Sequence, residues 1–233
     1  MEKETLENII FKYHLEGIIE NAKWSIVNNK LDIPLIAPNK DLFGRIKADF
    51  INTDSEFVIH GTSRLIKLLK VTDTQIDIKL NTQYQKTTKM IISDSSYELE
   101  YVLGDLFLAP SIPKEINEPV YEIEFDLNID LANKFIKAKK SVETEKVFIT
   151  PTQNQSLKFV IGEAGEFNDK INFEHPAKYD VLGIKTLEFP VEYLKNIFIN
   201  NKCDGKGYMS IDGVLKFQFE ENNIKSEYFL IAK

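Results

Sequence analysis

The 233-residue chain holds one cysteine, one tryptophan and three histidines. Cys203 can close no intramolecular disulfide and offers no multi-cysteine metal site, so a reducing, cytoplasmic setting is expected. His14, His60 and His175 stand far apart, and no HExxH, GxSxG, GxGxxG or GxxxxGK[ST] pattern occurs. Asp126, Asn128 and Asp130 have the spacing of a calcium loop but lack its glycine and distal glutamate. No catalytic residue, metal or cofactor is therefore expected, and the many other carboxylates read as solvated. No run reaches the ~18 apolar residues of a membrane span, and the first fifteen residues alternate charged with apolar side chains, unlike a signal peptide. Positive charge is also scarce. Lys and Arg number 29 against 36 Asp and Glu, for a net charge of −7, which argues against nonspecific coating of nucleic acid.

Six of the 29 basic residues fall into two stripes. Arg64, Lys67 and Lys70 recur at a spacing of three, and so do Lys134, Lys137 and Lys140. Each triplet lies in an amphipathic stretch, and on an α-helix residues three apart share a face. Two such helices in an acidic chain point to a specific surface for a polyanion. The blander reading is the ordinary solvated face of an amphipathic helix. Lys139 falls off the second stripe, and Lys12 and Lys195 are weaker candidates on two further helices.

The remaining chain reads as an α+β protein with antiparallel, half-buried strands. Helices are expected at 4–14, 64–71, 128–142 and 191–199, the second capped by Thr62-Ser63. Strand patterns fill the intervals, among them 74–80, 97–103, 170–174 and 214–219. Pro110, Pro113 and Pro119 interrupt the pattern with an extended linker between residues 106 and 119. On either side of it the order runs helix, strands, short helix, strands. The division is 1–106 and 120–233, joined by a linker over 107–119, and it is a repeat of arrangement with slight identity.

This arrangement resembles a DNA sliding clamp of the two-domain type shared by proliferating cell nuclear antigen and the T-even phage clamps. The stretches that carry the resemblance are 57–80 (FVIHGTSRLIKLLKVTDTQIDIKL), Ser111-Ile112-Pro113, and 215–233 (LKFQFEENNIKSEYFLIAK). The opening helix without a preceding strand is closer to the phage clamps, which implies a viral source. The resemblance implies two topologically similar clamp domains, with antiparallel sheets outside and two helices per domain inside. Three such chains form a pseudo-sixfold ring, with subunits joined through edge strands at 97–103 and 170–174. The duplex would pass through the ring without sequence preference, over a lining of Arg64, Lys67, Lys70, Lys134, Lys137 and Lys140. Its implied partners are a DNA polymerase, tethered for processivity, and a clamp-loader ATPase. Short partner tails would dock at Leu108, Ile112, Pro113, Val214 and Phe229. The chain stops at Lys233, without the cellular clamps' acidic tail. The competing expectation is a β-rich structural or assembly subunit of a virion that encircles nothing.

Overall fold

The computed structural model describes residues 1–84, 86–112, 117–163, 168–180 and 185–233. Its residues group into two compact units, Met1–Lys114 with Asn222–Ser226, and Glu115–Glu221 with Glu227–Lys233.

The first unit runs α1 (Lys3–His14), β1 (Asn21–Val27), β2 (Lys30–Ile36), β3 (Leu42–Asp49), β4 (Ser55–His60), α2 (Thr62–Leu69), β5 (Asp77–Gln83), β6 (Lys86–Ser93) and β7 (Glu98–Val102). Its strands pair antiparallel in the orders β4-β1-β2-β3 and β5-β6-β7. Leu6, Ile9, Ile10 and Tyr13 recur at helical spacing on α1 and are all buried. Trp24 on β1 is fully buried and anchors this core, with ring contacts to Phe50 at 5.5 Å, Phe57 at 5.9 Å and Tyr13 at 6.1 Å. Pro34 sits inside β2, where a proline would normally cost a ladder bond. Pairing of β2 with β1 ends at Asp32, so on that side Pro34 has no bond to lose.

The second unit runs β8 (Ile123–Leu127), α3 (Ile129–Ser141), β9 (Lys146–Pro151), β10 (Ser156–Gly162), β11 (Lys170–Pro176), β12 (Leu187–Pro190), α4 (Val191–Asn200), β13 (Gly205–Met209), β14 (Val214–Glu221) and β15 (Ile224–Ile231). The strand orders are β12-β9-β10-β11 and β8-β13-β14-β15. Leu131, Phe135 and Ala138 of α3, with Leu194, Ile197 and Phe198 of α4, make the buried helical faces. Phe135 meets Phe198 at 5.2 Å and Phe159 at 6.3 Å.

The two units repeat one another element by element: helix, four strands, helix, three strands. The repeat extends to single hydrogen bonds. Just past β7, Gly104 N donates to Val58 O of β4 at 2.8 Å; just past β15, Lys233 N donates to Glu188 O of β12 at 3.0 Å. Where the second unit has β8 paired with β13, the first has one bridge, Glu2 with Gln75, so the expected missing first strand is reduced to a single rung. The linker is not extended throughout, since Leu106–Leu108 forms a 3₁₀ turn.

Candidate nucleic-acid interface and partner surface

The first basic stripe depends on how α2 begins. Gly61, at φ 76°, turns the chain into the helix. The cap is not Thr62-Ser63, as local sequence implies. Glu20, some forty residues earlier, accepts from Ser63 N at 3.0 Å and also from the Ser63 hydroxyl. Thr62 is the first helical residue, and its hydroxyl donates to Glu20 O at 2.9 Å. A carboxylate at a helix N-terminus satisfies an orphan donor and complements the dipole. Burial acts to raise the Glu20 pKa, but the Ser63 hydroxyl, the Ser63 amide and His14 outweigh it and hold the carboxyl below its ordinary range.

From that start Leu65 and Leu69 turn inward and are fully buried, leaving Arg64, Lys67 and Lys70 exposed. Lys70 is the C-terminal cap residue of the helix. The Arg64 guanidinium lies 4.7 Å from the Tyr101 ring centre and reaches Val102 O at 3.4 Å, so its reach into solvent is shorter than that of the lysines. On α3, Asn128 caps the helix by accepting from Leu131 N at 2.9 Å. Burial of Leu131, Phe135 and Ala138 leaves Lys134, Lys137 and Lys140 exposed. Among the described residues, none of these six cations pairs with a carboxylate. Each unit thus presents one helix with three exposed basic side chains.

The weaker candidates fail on position. Lys12 is 2% exposed. Its flank of Ile9, Ile10 and Tyr13 turns it inward, which a count of charges cannot reveal. Lys139 and Lys195 both serve Glu192, Lys139 at 3.2 Å. The solvent side of α1 carries Glu4, Glu7, Asn8 and Phe11, and its Lys3 ammonium donates to Thr72 O at 2.7 Å.

The histidines are less isolated than their spacing implies. His14 Nε2 lies 3.1 Å from both Glu20 Oε1 and Ser63 Oγ. The residue types are those of a hydrolytic triad, but a triad base uses its two ring nitrogens for two different partners. Here a single nitrogen meets both, and the cluster fastens α2 to the end of α1. His175 is buried on β11 with Nε2 2.7 Å from Asp126 O, and burial pushes its pKa down. Asp126 takes the Lys206 ammonium at 2.7 Å while Asn128 serves as the helix cap, so those side chains already have structural roles.

The expected peptide-docking residues are placed as follows. Leu108 is 40% exposed on the 3₁₀ turn, and Ile112 is half-buried. Pro113 lies outside the described residues. Val214 opens β14 half-buried, and Phe229 on β15 is only 4% exposed. Phe229 is covered by the Lys216 ammonium, 4.9 Å from its ring centre. Sequence reading missed Lys216 because nothing local marks a lysine in an apolar strand as buried.

The repeat does not carry the Lys216 and Phe229 pair into the first unit. In the second unit, Ala232 N bonds Gly213 O at 2.7 Å and Gln218 bonds Glu227 at 2.6 Å, a register that sets Lys216 opposite Phe229 and Val214 opposite Ile231. The first unit has the same register, with Leu103 N bonded to Thr88 O at 2.9 Å. Its equivalent pairs are Ile91 with Glu100 and Lys89 with Val102. Glu100 stands where Phe229 does, and it is ion-paired to Lys89 at 2.5 Å.

No protein-family model matches the chain, and no curated protein matches it in sequence. Solved structures match over its whole length. Proliferating cellular nuclear antigen from Entamoeba histolytica superposes with a TM-score of 0.76 at 13% identity, covering 100% of this chain and 96% of that one. The A. fulgidus antigen, solved with the C-terminal region of FEN-1 bound, gives 0.78 at 15% identity, with 100% and 96% covered. That of Thermococcus kodakaraensis gives 0.77 at 13% identity, with 100% and 98% covered. The fold is therefore that of the DNA sliding clamps, α+β with antiparallel sheets and two helices in each repeat. No helix among the described residues is long and apolar enough to cross a membrane.

Proposed function

We propose that the chain is a non-enzymatic DNA sliding clamp, a processivity factor that closes as a homotrimer around duplex DNA and tethers a replicative polymerase. Residues 1–106 and 120–233 are its clamp domains and 107–119 the connecting linker. The observation that carries this reading is the coincidence of a full-length clamp fold with two helices, each bearing three exposed cations that no carboxylate neutralises among the described residues. Flexible lysines meet phosphates as point charges and read no base edges, which suits a ring that must slide. The acidic remainder of the chain keeps the attraction weak enough for movement.

Ring closure joins β7 of one copy to β11 of the next. Both are edge strands, and among the described residues no backbone bridge closes the outer row of either. Pairing them removes two edges that would otherwise invite aggregation. Partner tails dock through residues drawn from Leu108, Ile112, Pro113, Val214 and Phe229, a role supported by the FEN-1 tail bound to a clamp of the same fold. A separate loader ATPase opens the ring. The viral, host-cytoplasmic setting rests on the sequence resemblance to phage clamps alone.

The test is retention on DNA after loading. A clamp stays on closed circles and leaves linear molecules; equal release from both refutes encirclement. A monomer or an open polymer by native mass measurement at micromolar concentration refutes the trimer.

A further inference from the structure

Residues 117–122 carry no regular structure, yet three of them are tied to β13, β14 and the turn between these strands. Glu118 Oε2 accepts from the Lys216 ammonium at 2.7 Å. The Tyr121 ring lies 5.8 Å from the same ammonium and 5.9 Å from the Tyr208 ring. Glu122 Oε2 accepts from Ile211 N at 2.9 Å. Val120, between these ties, is 76% exposed, so the segment is held by its polar and aromatic contacts and not by burial of its apolar member.

The central cation is unusual in its partners. Lys216 is 8% exposed and has two carboxylates, Glu118 and Glu227, the latter at 2.9 Å. Glu227 sits on β15 and also takes Gln218 from β14, so this pair stays in place whatever residues 117–122 do. If Glu118 leaves, Lys216 keeps Glu227 and the Phe229 ring, and no buried charge is orphaned. The tie to Glu118 is therefore releasable at the loss of one charge-assisted hydrogen bond. Tyr121 fills a space bounded by an ammonium and an aromatic neighbour, which suits an aromatic ring. Burial, then Glu118, then Glu227 push its phenol pKa up, so it stays neutral there at physiological pH.

We propose that residues 117–122 form an ion-latched strap in which Tyr121 occupies, beside Lys216, the place of a partner's aromatic anchor. The strap is autoinhibitory: a partner tail docks by displacing Tyr121 once Glu118 releases Lys216. This inference rests on the reading of the Phe229 surface as a peptide site. It adds that the site is closed in the free chain and opens when the tie between Glu118 and Lys216 is released.

The experiment compares the wild type with Glu118→Ala and Tyr121→Ala, all as full chains. Exchange of the strap is followed at the Ile211 amide, which Glu122 holds, and, as a control, across β14. Affinity is measured for a synthetic peptide with adjacent phenylalanines in a serine-glycine background and for its alanine counterpart. Losing one charge-assisted hydrogen bond should speed strap exchange about tenfold in Glu118→Ala with β14 unchanged. Both variants should bind the phenylalanine peptide several-fold more tightly than wild type, and the alanine peptide not at all. Unchanged strap exchange overturns the latch. Peptide binding that neither variant tightens overturns the autoinhibitory role alone. No binding by any of the three proteins overturns the peptide site itself, and the autoinhibitory role with it.

Discussion

Neutralising the α3 stripe gives the sharpest test of how the chain meets DNA. Lys134, Lys137 and Lys140 are exposed and none pairs with a carboxylate among the described residues, so Lys→Gln at all three removes charge without opening a structural contact. The stability cost is at most about 1 kcal/mol, from losing Lys140 at the C-terminal end of the helix dipole. The binding effect follows from counterion release. Each neutralised phosphate contributes about −0.9 to the slope of log K against log salt, so each contact weakens binding about 3.5-fold between 50 and 200 mM. The triple variant keeps Arg64, Lys67 and Lys70, half of the six assigned cations. Its slope for a short duplex should fall to about half that of the wild type, with the two affinities converging as salt rises. Fluorescence anisotropy across a salt series reads this directly. A slope unchanged within about one unit would show that these lysines are only solvated, and would sink their assignment to the lining.

Three further predictions concern the frame that positions the surfaces. Glu20→Ala should cost about 0.5–2 kcal/mol in urea unfolding, because it removes the carboxylate that caps α2. Since the folded Glu20 pKa lies below its unfolded value of about 4.3, its contribution is complete above that pH and is lost as pH falls through the folded value. The wild type should therefore lose more stability than Glu20→Gln on acidification below about pH 4.3, and parallel curves would contradict the cap. Trp24→Ala should cost about 3–5 kcal/mol, given full burial and three ring neighbours; a loss under about 1 kcal/mol would mean that this core repacks freely. Gly207→Ala would place a Cβ 2.3 Å from the Phe125 ring across β13 and β8, and should cost about 1–3 kcal/mol. The same change in a Phe125→Leu background should cost clearly less, and an equal cost would put the origin elsewhere.

What could be read from the sequence was local and periodic. The spacing of Leu131, Phe135 and Ala138 marks the buried face of α3 without ambiguity, and the cations opposite follow from it. The edge strands were legible only through the order of elements, since nothing within Lys170–Pro176 distinguishes an edge from a centre. Non-local features stayed hidden. Glu20 caps a helix more than forty residues away, so Thr62-Ser63 was the better local choice and the wrong one. Lys12 has a charge but sits on the buried arc of α1, and Lys216 has a charge but is buried between Glu118 and Glu227. For Lys12 charge implies exposure, a rule that fails wherever tertiary partners replace water, and nothing local marks Lys216 at all.

The placement of the cations bears on why they are there. By element order α1 corresponds to α3 and α2 to α4. Were the stripes a residue of the repeat, they would lie on corresponding helices. They do not: the first unit carries its basic stripe on α2, its second helix, and the second unit on α3, its first. The counterparts have gone other ways, with Lys12 buried on α1 and Lys195 tied to Glu192 on α4. The hairpins diverge in the same manner, Phe229 against Glu100 at one register position. Solvation alone would favour mixed charge on all four exposed helical faces of an acidic chain. Two basic triplets on unlike helices, with Asp130 the acidic residue exposed beside Lys134 on α3, are what the proposed phosphate-backbone ligand accounts for. Moving the α3 triplet to the solvent side of α1 should then restore the salt slope of the neutralised variant only if α1 also faces the duplex, and restoration of the slope without processivity would separate contact from encirclement.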